Sequence, residues 1–290
     1  MFRNRLLSSV VLIPVVLGLT YLGGVWFLGL VLVVLLLAGL EYAELLKRDG
    51  GSPSPVFVVV VTWLFVLDIN FPQTRWFRFA LTVALLSVLV WALVRFERGQ
   101  ADSVVGWAWT LAGSLYLGWM GAHFVLLRYV GLAPGKTWLS LGQGEGLWWT
   151  ALALSSTWLA DTGAYFAGRA WGRQKLSPLA SPSKTWAGFV GGVVLGTLGG
   201  AGVAILLRLI AGATGQHTVM TIWDGLALGV LVSLLSPLGD LGESMIKRYA
   251  GAKDSGQLIP GHGGMFDRID SLLWAAVIGF YYAVWIARLG

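Results

Sequence analysis

The sequence predicts an all-α fold, a polytopic transmembrane helical bundle, and three observations carry that prediction. Hydrophobic residues make up 57% of the chain and charged residues only 12%, which is far from the balance of a water-soluble domain. Apolar runs of bilayer-spanning length recur from one end of the chain to the other. Because lipid offers the backbone no hydrogen-bond partners, each run is expected to close its own hydrogen bonds as a helix.

The apolar runs, separated by polar and glycine-rich breaks, predict about nine membrane spans. These predicted spans cover residues 6–22, 25–46, 56–71, 77–95, 103–130, 147–168, 187–210, 222–241 and 271–289. The run after MFRNR is interpreted as the first span and not as a leader, since it lacks a small-residue cleavage site. With nine spans, 14 of the 20 Lys and Arg residues lie on the side of the N-terminus. This bias predicts a cytoplasmic N-terminus in a multi-pass protein of the inner (plasma) membrane.

Composition also excludes several classes of function. The chain has no cysteine, which excludes disulfides, thiolate nucleophiles and Cys-ligated metals. The formal net charge is +6, but the basic residues lie mostly in loops, where they oppose anionic lipid headgroups. Nucleic acid is therefore not an expected partner.

The predicted domain organisation is one integral membrane domain over residues 1–290. Residues 1–146 form N-terminal spans, and residues 147–290 form a catalytic half. Two polar cytoplasmic loops, 169–186 and 242–270, differ from the rest in composition. The active site is expected to face the cytoplasm at these loops.

A first candidate constellation lies where the eighth span ends. Asp240, Ser244 and Lys247 are spaced i, i+4 and i+7, which places them on one face of a helix. A proline and a glycine directly before Asp240 are expected to interrupt the helix, which is tolerated at membrane depth where the backbone faces protein or a polar cavity. The alternative is that Asp240 caps a helix and that Glu243 and Lys247 form an ordinary surface pair.

A glycine-rich loop follows this constellation. Five glycines between residues 251 and 264 are interleaved with Lys253, Asp254 and His262. Glycine allows close backbone approach and positive φ, so successive N–H groups can converge on phosphate oxygens. The alternative is a loop that is rich in glycine only for flexibility.

The loop ends in FDRID, where Asp267 and Asp270 are spaced i, i+3 with Arg268 between them. Carboxylates clustered beside basic residues at a membrane surface are typical of a site for a hard divalent cation such as Mg²⁺. Asp240 and Asp267, if they approach each other, would make such a site. The alternative is that acidic residues at this helix start only complement the helix dipole.

The earlier polar loop supplies a further candidate set. Asp161 lies within the sixth predicted span, where an ionisable group usually faces a partner or a polar cavity. Ser183, Lys184 and Thr185 directly precede the seventh span. Hydroxyls, a lysine and helix N-terminal amides indicate an anion site, although a plain Ser/Thr N-cap explains part of this pattern.

The stretch SMIKRYAGAKDSGQLIPGHGGMFDRID resembles the signature of the phosphatidate cytidylyltransferase (CDP-diacylglycerol synthase) family. GD at Asp240, DTGAYFAGR and SPSKTW extend the resemblance over the C-terminal half. One departure is Ala187, where family members commonly carry Glu after this Trp. The signature positions are matched by Ser244, Lys247, Arg248, Lys253, Asp254, His262, Gly263, Gly264, Asp267, Arg268 and Asp270.

The resemblance implies an enzyme that makes CDP-diacylglycerol and pyrophosphate from CTP and phosphatidate with Mg²⁺. It implies that Asp240 and Asp267 ligate the metal. Around the nucleotide and the lipid phosphate it places Lys247, Arg248, Lys253, His262, Arg268 and Asp270. A second metal ion, a monovalent cation such as K⁺ and a homodimer remain open. Lys184 and Ser183 are expected to seat either the phosphatidate headgroup or the triphosphate.

Two other functions are weighed against this one. The same residues could serve a related cytidylyltransferase or a CTP-dependent lipid kinase acting on an isoprenoid lipid. A transporter of an anionic solute would also use broken helices and an intramembrane Asp161. Transport would require two related halves, and the hydropathy pattern has no such symmetry.

Overall fold

The computed structural model describes residues 2–47, 51–132, 144–256 and 263–289, with side chains from residue 12 onward. The helices and strands of these ranges are α1 (Phe2–Leu22), α2 (Gly24–Lys47), α3 (Pro55–Asn70), α4 (Arg75–Glu97), α5 (Ser103–Tyr129), α6 (Glu145–Trp171), β1 (Lys175–Ser177), β2 (Ser181–Thr185), α7 (Trp186–Ala213), α8 (Ile222–Leu235), α9 (Pro237–Tyr249) and α10 (Phe266–Tyr281), and α10 continues into a π-helical turn at Tyr282–Ile286. The predicted polytopic helical fold is confirmed.

Six helical segments of the described ranges are long and apolar enough to cross a membrane. They are Gly24–Lys47, Arg75–Glu97, Ser103–Tyr129, Trp186–Ala213, Ile222–Tyr249 and Phe266–Ile286, and two shorter apolar helices cover Leu12–Leu22 and Pro55–Asn70. The predicted span 147–168 lies in α6, which is 27 residues long but does not belong to this apolar set. Helix α6 is more polar because it carries serines, threonines, Asp161 and Arg169.

The polar loop predicted at 169–186 contains a β-hairpin, which the expectation of loop structure did not include. Strands β1 and β2 pair antiparallel, with Lys175 opposite Thr185 and Ser177 opposite Ser181. Two prolines in this segment oppose helix formation. Pairing of the two short strands instead satisfies backbone groups next to the membrane helices.

The described helices form two compact units. The first unit comprises Met1–Leu17, Leu28–Val125 and Ile246–Ile269. Within it, α3 packs against α4 through a small core of buried side chains, Val61, Leu81, Ala84 and Val88. The side chain of Ser54 caps α3 by accepting a hydrogen bond from the Phe57 N–H at 3.4 Å.

An ion pair closes the turn between α4 and α5 in the first unit. Arg95 Nη2 lies 3.1 and 3.0 Å from the two carboxylate oxygens of Asp102. The Ser52 side chain donates a hydrogen bond to Asp102 and, together with Arg95, holds the pKa of that carboxyl below its ordinary value. The turn is therefore fixed by a charge-assisted contact at the membrane surface.

The second unit comprises Gly18–Phe27, Leu126–Met245 and Asp270–Gly290. Its core joins α6, α7, α8 and α10 around the buried side chains of Trp149, Leu152, Leu228 and Tyr282. These helices approach closely because glycines face one another. A side-chain carbon at Gly200 would lie 2.5 Å from the Gly225 carbonyl oxygen. Small residues at such contacts allow van der Waals packing between helices in lipid.

This close packing predicts opposite outcomes for two glycines of α7. Gly200→Ala should lower stability by about 1–3 kcal/mol because the added methyl group overpacks the α7–α8 contact. Gly202 has open space where its side chain would lie, so Gly202→Ala should be neutral or slightly stabilising. Thermal midpoints of the purified proteins in one detergent measure both effects. Equal midpoints for the two variants would contradict the packing argument.

Candidate active site

The helix interruption that the sequence predicts is present in the second unit. Helix α8 ends at Leu235 and α9 begins at Pro237, with Ser236 as the turn between them. The Ser236 N–H still donates to the Val232 carbonyl at 2.8 Å, so the bend leaves that group satisfied. Gly239 packs directly against the Asp270 carbonyl, where a side chain would not fit. The start of α9 is therefore held close to α10.

Three carboxylates converge at this bend. Asp240 and Glu243 lie one turn apart on α9, Asp270 lies on α10, and one oxygen from each comes within 4.8 Å of the others. Glu243 is only 2% exposed and Asp270 only 9%. Buried carboxylates of like charge raise one another's energy unless cations compensate them. The possible metal ligands in this group are all carboxylate oxygens, which is the ligand type that Mg²⁺ prefers. The set therefore fits a hard divalent cation.

Lys184 supplies a positive charge to this group. Its ammonium nitrogen lies 2.6 Å from Asp240 Oδ2, and the Ser244 hydroxyl donates to Asp240 Oδ1 at 3.3 Å. The predicted shared face of Asp240 and Ser244 on one helix is confirmed. The adjacent Thr185 hydroxyl accepts a hydrogen bond from the Gly188 N–H at 3.1 Å, so Thr185 caps α7.

A cavity of about 520 Å³ opens beside these residues within the second unit. Asp161, Arg169, Ser183, Lys184 and Asp240 contribute to its wall, together with apolar side chains of α6 and α7. The volume is in the range of small-molecule sites. Charged groups of both signs and an apolar wall suit a ligand that has an anionic head and an apolar body.

A second polar cluster lies in the first unit and centres on Asp267. Lys247 Nζ lies 2.7 Å from Asp267 Oδ1. The N–H groups of Ser255 and Gly264 donate to Asp267 Oδ2 at 3.0 and 2.8 Å. The side chains of Lys247 and Asp267 are only 11% and 7% exposed. Backbone amides of the glycine-rich loop therefore converge on a carboxylate that is paired with a lysine.

The two clusters distribute the predicted carboxylates in a definite way. Asp240 and Asp270 belong to the group in the second unit, and Asp267 bonds Lys247, Ser255 and Gly264 in the first. The predicted pairing of Asp240 with Asp267 on a metal stays a prediction. Glu243 is buried and the Lys247 side chain is only 11% exposed, so neither residue is an ordinary surface group.

The remaining predicted residues lie at the surface or outside the described ranges. Arg248, Lys253, Asp254 and Arg268 are exposed, and Arg248 Nη1 donates to the Ala252 carbonyl at 3.1 Å. Gly263 has a φ of 82°, in the region that favours glycine. The predicted site residue His262 lies outside the described residues. Three of these exposed residues, Arg248, Lys253 and Arg268, are basic.

Two acidic residues of these clusters were missed by the sequence interpretation. Glu243 follows Asp240 by one helical turn, and that spacing is the signal that could have revealed it. Glu41 is an ionisable residue near the end of a highly apolar span, which also marks a functional position. Glu41 accepts hydrogen bonds from the Ser255 hydroxyl at 3.1 Å and from the Phe266 N–H at 2.9 Å.

Comparison with known proteins shows the family of this chain. The model of the cytidylyltransferase family matches residues 3–286. The chain belongs to that family.

Three curated relatives that the chain resembles are named phosphatidate cytidylyltransferase. The protein of that name from Brucella suis biovar 1 is 33% identical over 99% of this chain and 94% of its own length. That of Synechocystis is 33% identical over 97% of this chain and 96% of its own length. That of Pseudomonas aeruginosa is 33% identical over 100% of this chain and 99% of its own length.

The buried acidic group predicts a measurable affinity for divalent cations. Glu243→Gln keeps the side-chain size but removes one negative charge, so it should weaken Mn²⁺ binding about tenfold, as loss of groups around metal sites does. Calorimetric titration of the purified protein with Mn²⁺, without nucleotide, measures this change. Glu97→Gln is the matched control, because Glu97 is exposed at the end of α4. Equal Mn²⁺ affinity in both variants would remove Glu243 from the site.

Proposed function

We propose that this chain transfers a cytidylyl group from CTP to phosphatidate and releases CDP-diacylglycerol and pyrophosphate. The observation that carries the proposal is the group of three carboxylates, one of which, Asp240, pairs with Lys184 on the wall of a cavity that combines charged groups with apolar side chains. The name of the relatives at 33% identity supports the same reaction. The chain is a multi-pass membrane protein, so a lipid substrate reaches it without leaving the bilayer.

The nucleophile in this reaction is an oxygen of the lipid phosphate. It forms a new bond to the α-phosphorus of CTP, the bond from that phosphorus to the bridging oxygen breaks, and pyrophosphate leaves with the bonding electrons. A phosphate monoester loses its second proton with a pKa of about 6. It is therefore already anionic near neutral pH, and the protein needs no strong base to activate it.

Repulsion between the two anionic substrates is the main obstacle. Two like unit charges 4 Å apart repel by about 4 kcal/mol at an effective dielectric constant of 20. Basic side chains reduce this cost by lying beside the phosphates. We assign this role to Lys184 in the second unit and to Lys247 in the first. Each of these lysines forms an ion pair with a buried or half-buried carboxylate. Each lysine is thereby held in place before substrate binds.

Asp240, Glu243 and Asp270 would hold the divalent cation that such a transfer uses, and Asp267 stays a predicted ligand. When bound, Mg²⁺ neutralises phosphate charge and stabilises the leaving pyrophosphate. The protein's own part is to keep these carboxylates together. The close contact between Gly239 and Asp270 fixes α9 against α10, and Ser244 orients the Asp240 carboxylate.

The expected location follows from the substrates. Acyl chains of phosphatidate stay in lipid while CTP is a cytoplasmic solute, and the positive-inside bias predicts that the polar loops lie on the cytoplasmic side. The bacterial relatives support the inner membrane as the compartment. The active site is therefore assigned to the cytoplasmic face of that membrane.

The decisive experiment supplies the purified protein with radiolabelled CTP, Mg²⁺ and phosphatidate. Label from the cytosine ring should enter the lipid fraction while pyrophosphate is released in equal amount. Parallel reactions with isoprenoid phosphates and isoprenoid alcohols test the neighbouring functions. A lipid kinase would release CDP and leave the cytosine label in water. Absence of cytosine label from every lipid would overturn the proposal.

Lys247→Met tests the charge role assigned to the Asp267 cluster. The variant removes the positive charge but keeps most of the side-chain volume, so kcat/KM for CTP should fall about a hundredfold, or roughly 2.7 kcal/mol at 1.36 kcal/mol per tenfold change. Lys47→Met is the control, because Lys47 is exposed and pairs only with exposed Glu44 at 3.3 Å among the described residues. Unchanged kinetics for Lys247→Met would remove this lysine from the site.

A further inference from the structure

Glu41 ties helix α2 to the segment that carries Asp267. Its Oε2 accepts hydrogen bonds from the Phe266 N–H at 2.9 Å and from the Ser255 hydroxyl at 3.1 Å. Phe266 is the first residue of α10, and the first N–H groups of a helix lack partners within the helix. Glu41 therefore supplies the missing acceptor from a helix more than two hundred residues away in sequence.

Two glycines make room for the Glu41 side chain. A side-chain carbon at Gly256 would lie 2.7 Å from Glu41 Oε1, and one at Gly264 would collide with Ser255 and Glu41. Phe266 is fully buried and packs its ring edge-on against Tyr42, with ring centroids 5.9 Å apart. Glu41 and the adjacent Tyr42 thus hold the start of α10 against α2.

Ser255 links this contact to the lysine–aspartate pair. Its hydroxyl lies 3.1 Å from Glu41 Oε2 and 3.0 Å from Asp267 Oδ2. A hydroxyl has one hydrogen and donates to one carboxylate at a time. The Ser255 N–H donates to Asp267 Oδ2 whichever carboxylate the hydroxyl faces, so displacement of Ser255 would release at least this contact of Asp267. Lys247 would then lose the fixed orientation of its partner.

We propose that Glu41 is a positioning residue for the Lys247–Asp267 pair, acting through Ser255 and the backbone of Phe266. The proposal rests on the proposed function for its catalytic consequence. It assigns a residue of the N-terminal half to the reaction, although Glu41 touches no reacting group. A hydrogen-bond acceptor at this position orders the charge pair on which CTP use depends.

Three variants of the full-length protein test the proposal. Glu41→Ala removes the acceptor and should lower kcat/KM for CTP at least tenfold. Glu41→Gln keeps an amide oxygen for the Phe266 N–H, so its activity should stay within about threefold of the wild type. Glu44→Ala is the matched control on the same helix, because Glu44 is exposed, and it should leave activity unchanged. Glu41→Ala activity equal to that of Glu44→Ala would overturn the proposal.

A double-mutant cycle separates positioning from general stability. If Glu41 acts through the pair, Glu41→Ala should cost less than threefold in a Lys247→Met background, since the oriented lysine is already absent. A purely structural role would multiply the two losses in full. Such multiplication, or a Glu41→Gln variant as impaired as Glu41→Ala, would contradict the positioning role.

Amide hydrogen exchange gives a readout that does not depend on the reaction. In Glu41→Ala, peptides that contain Phe266 and Asp267 should exchange at least tenfold faster than in the wild type, while peptides from α8 should be unchanged. Glu44→Ala should show wild-type exchange throughout. Wild-type exchange in Glu41→Ala would reject the proposal even if the protein makes CDP-diacylglycerol. Faster exchange in a protein that lacks cytidylyl transfer would leave the contact supported and reject the proposed function alone.

Discussion

Compensation of buried charge is the constraint on which this structure depends. A carboxylate in a mainly apolar helical protein is costly unless cations or N–H donors face it. Asp267 meets this condition with Lys247, two backbone N–H groups and a hydroxyl. Asp240 meets it with Lys184 and Ser244. Each of these two carboxylates therefore lies where the fold supplies its partners.

Glycine serves two different purposes around these charges. In α7 and α8, facing glycines bring backbones close enough for dispersion contacts, which drive helix association in lipid. Gly239 does the same beside Asp270. In the loop before α10, by contrast, the N–H of Gly264 donates to Asp267. Because glycine has no side chain, Glu41 and Ser255 can pack directly against Gly264. The first use builds the scaffold, and the second shapes the polar cluster.

The reaction explains why no conventional catalytic base is needed among the described residues. The attacking phosphate is anionic, so the protein must lower repulsion and hold two substrates in line. Lysines that are paired with carboxylates are suited to that task because their side chains are ordered before the substrate binds. The acidic group of Asp240, Glu243 and Asp270 adds the oxygen ligands for a divalent cation. Asp240 lies in the first turn of α9, and Asp267 lies in the first turn of α10.

The sequence alone determined the helical membrane fold, because the apolar runs and the solvent requirement of the backbone leave few other solutions. It also located the polar segments around Asp240 and Asp267, since the spacing within one helix follows from its period. Local sequence did not predict the hairpin at 175–185, where two short strands depend on each other. Hydrogen-bond pairing between distant residues was likewise invisible to local periodicity.

Only the tertiary structure decided which carboxylates come together. Asp240 and Glu243 lie on α9, and the third carboxylate of the group, that of Asp270, comes from a different helix, α10. Glu41 lies within the second predicted span, 25–46, for which the sequence indicates no polar contact, yet it contacts Ser255 and Phe266. Sequence period defines neighbours along one helix, whereas contacts between helices depend on packing of whole side-chain surfaces. For this reason the sequence indicated which residue types take part in the site, but it did not indicate which residues of different helices contact one another.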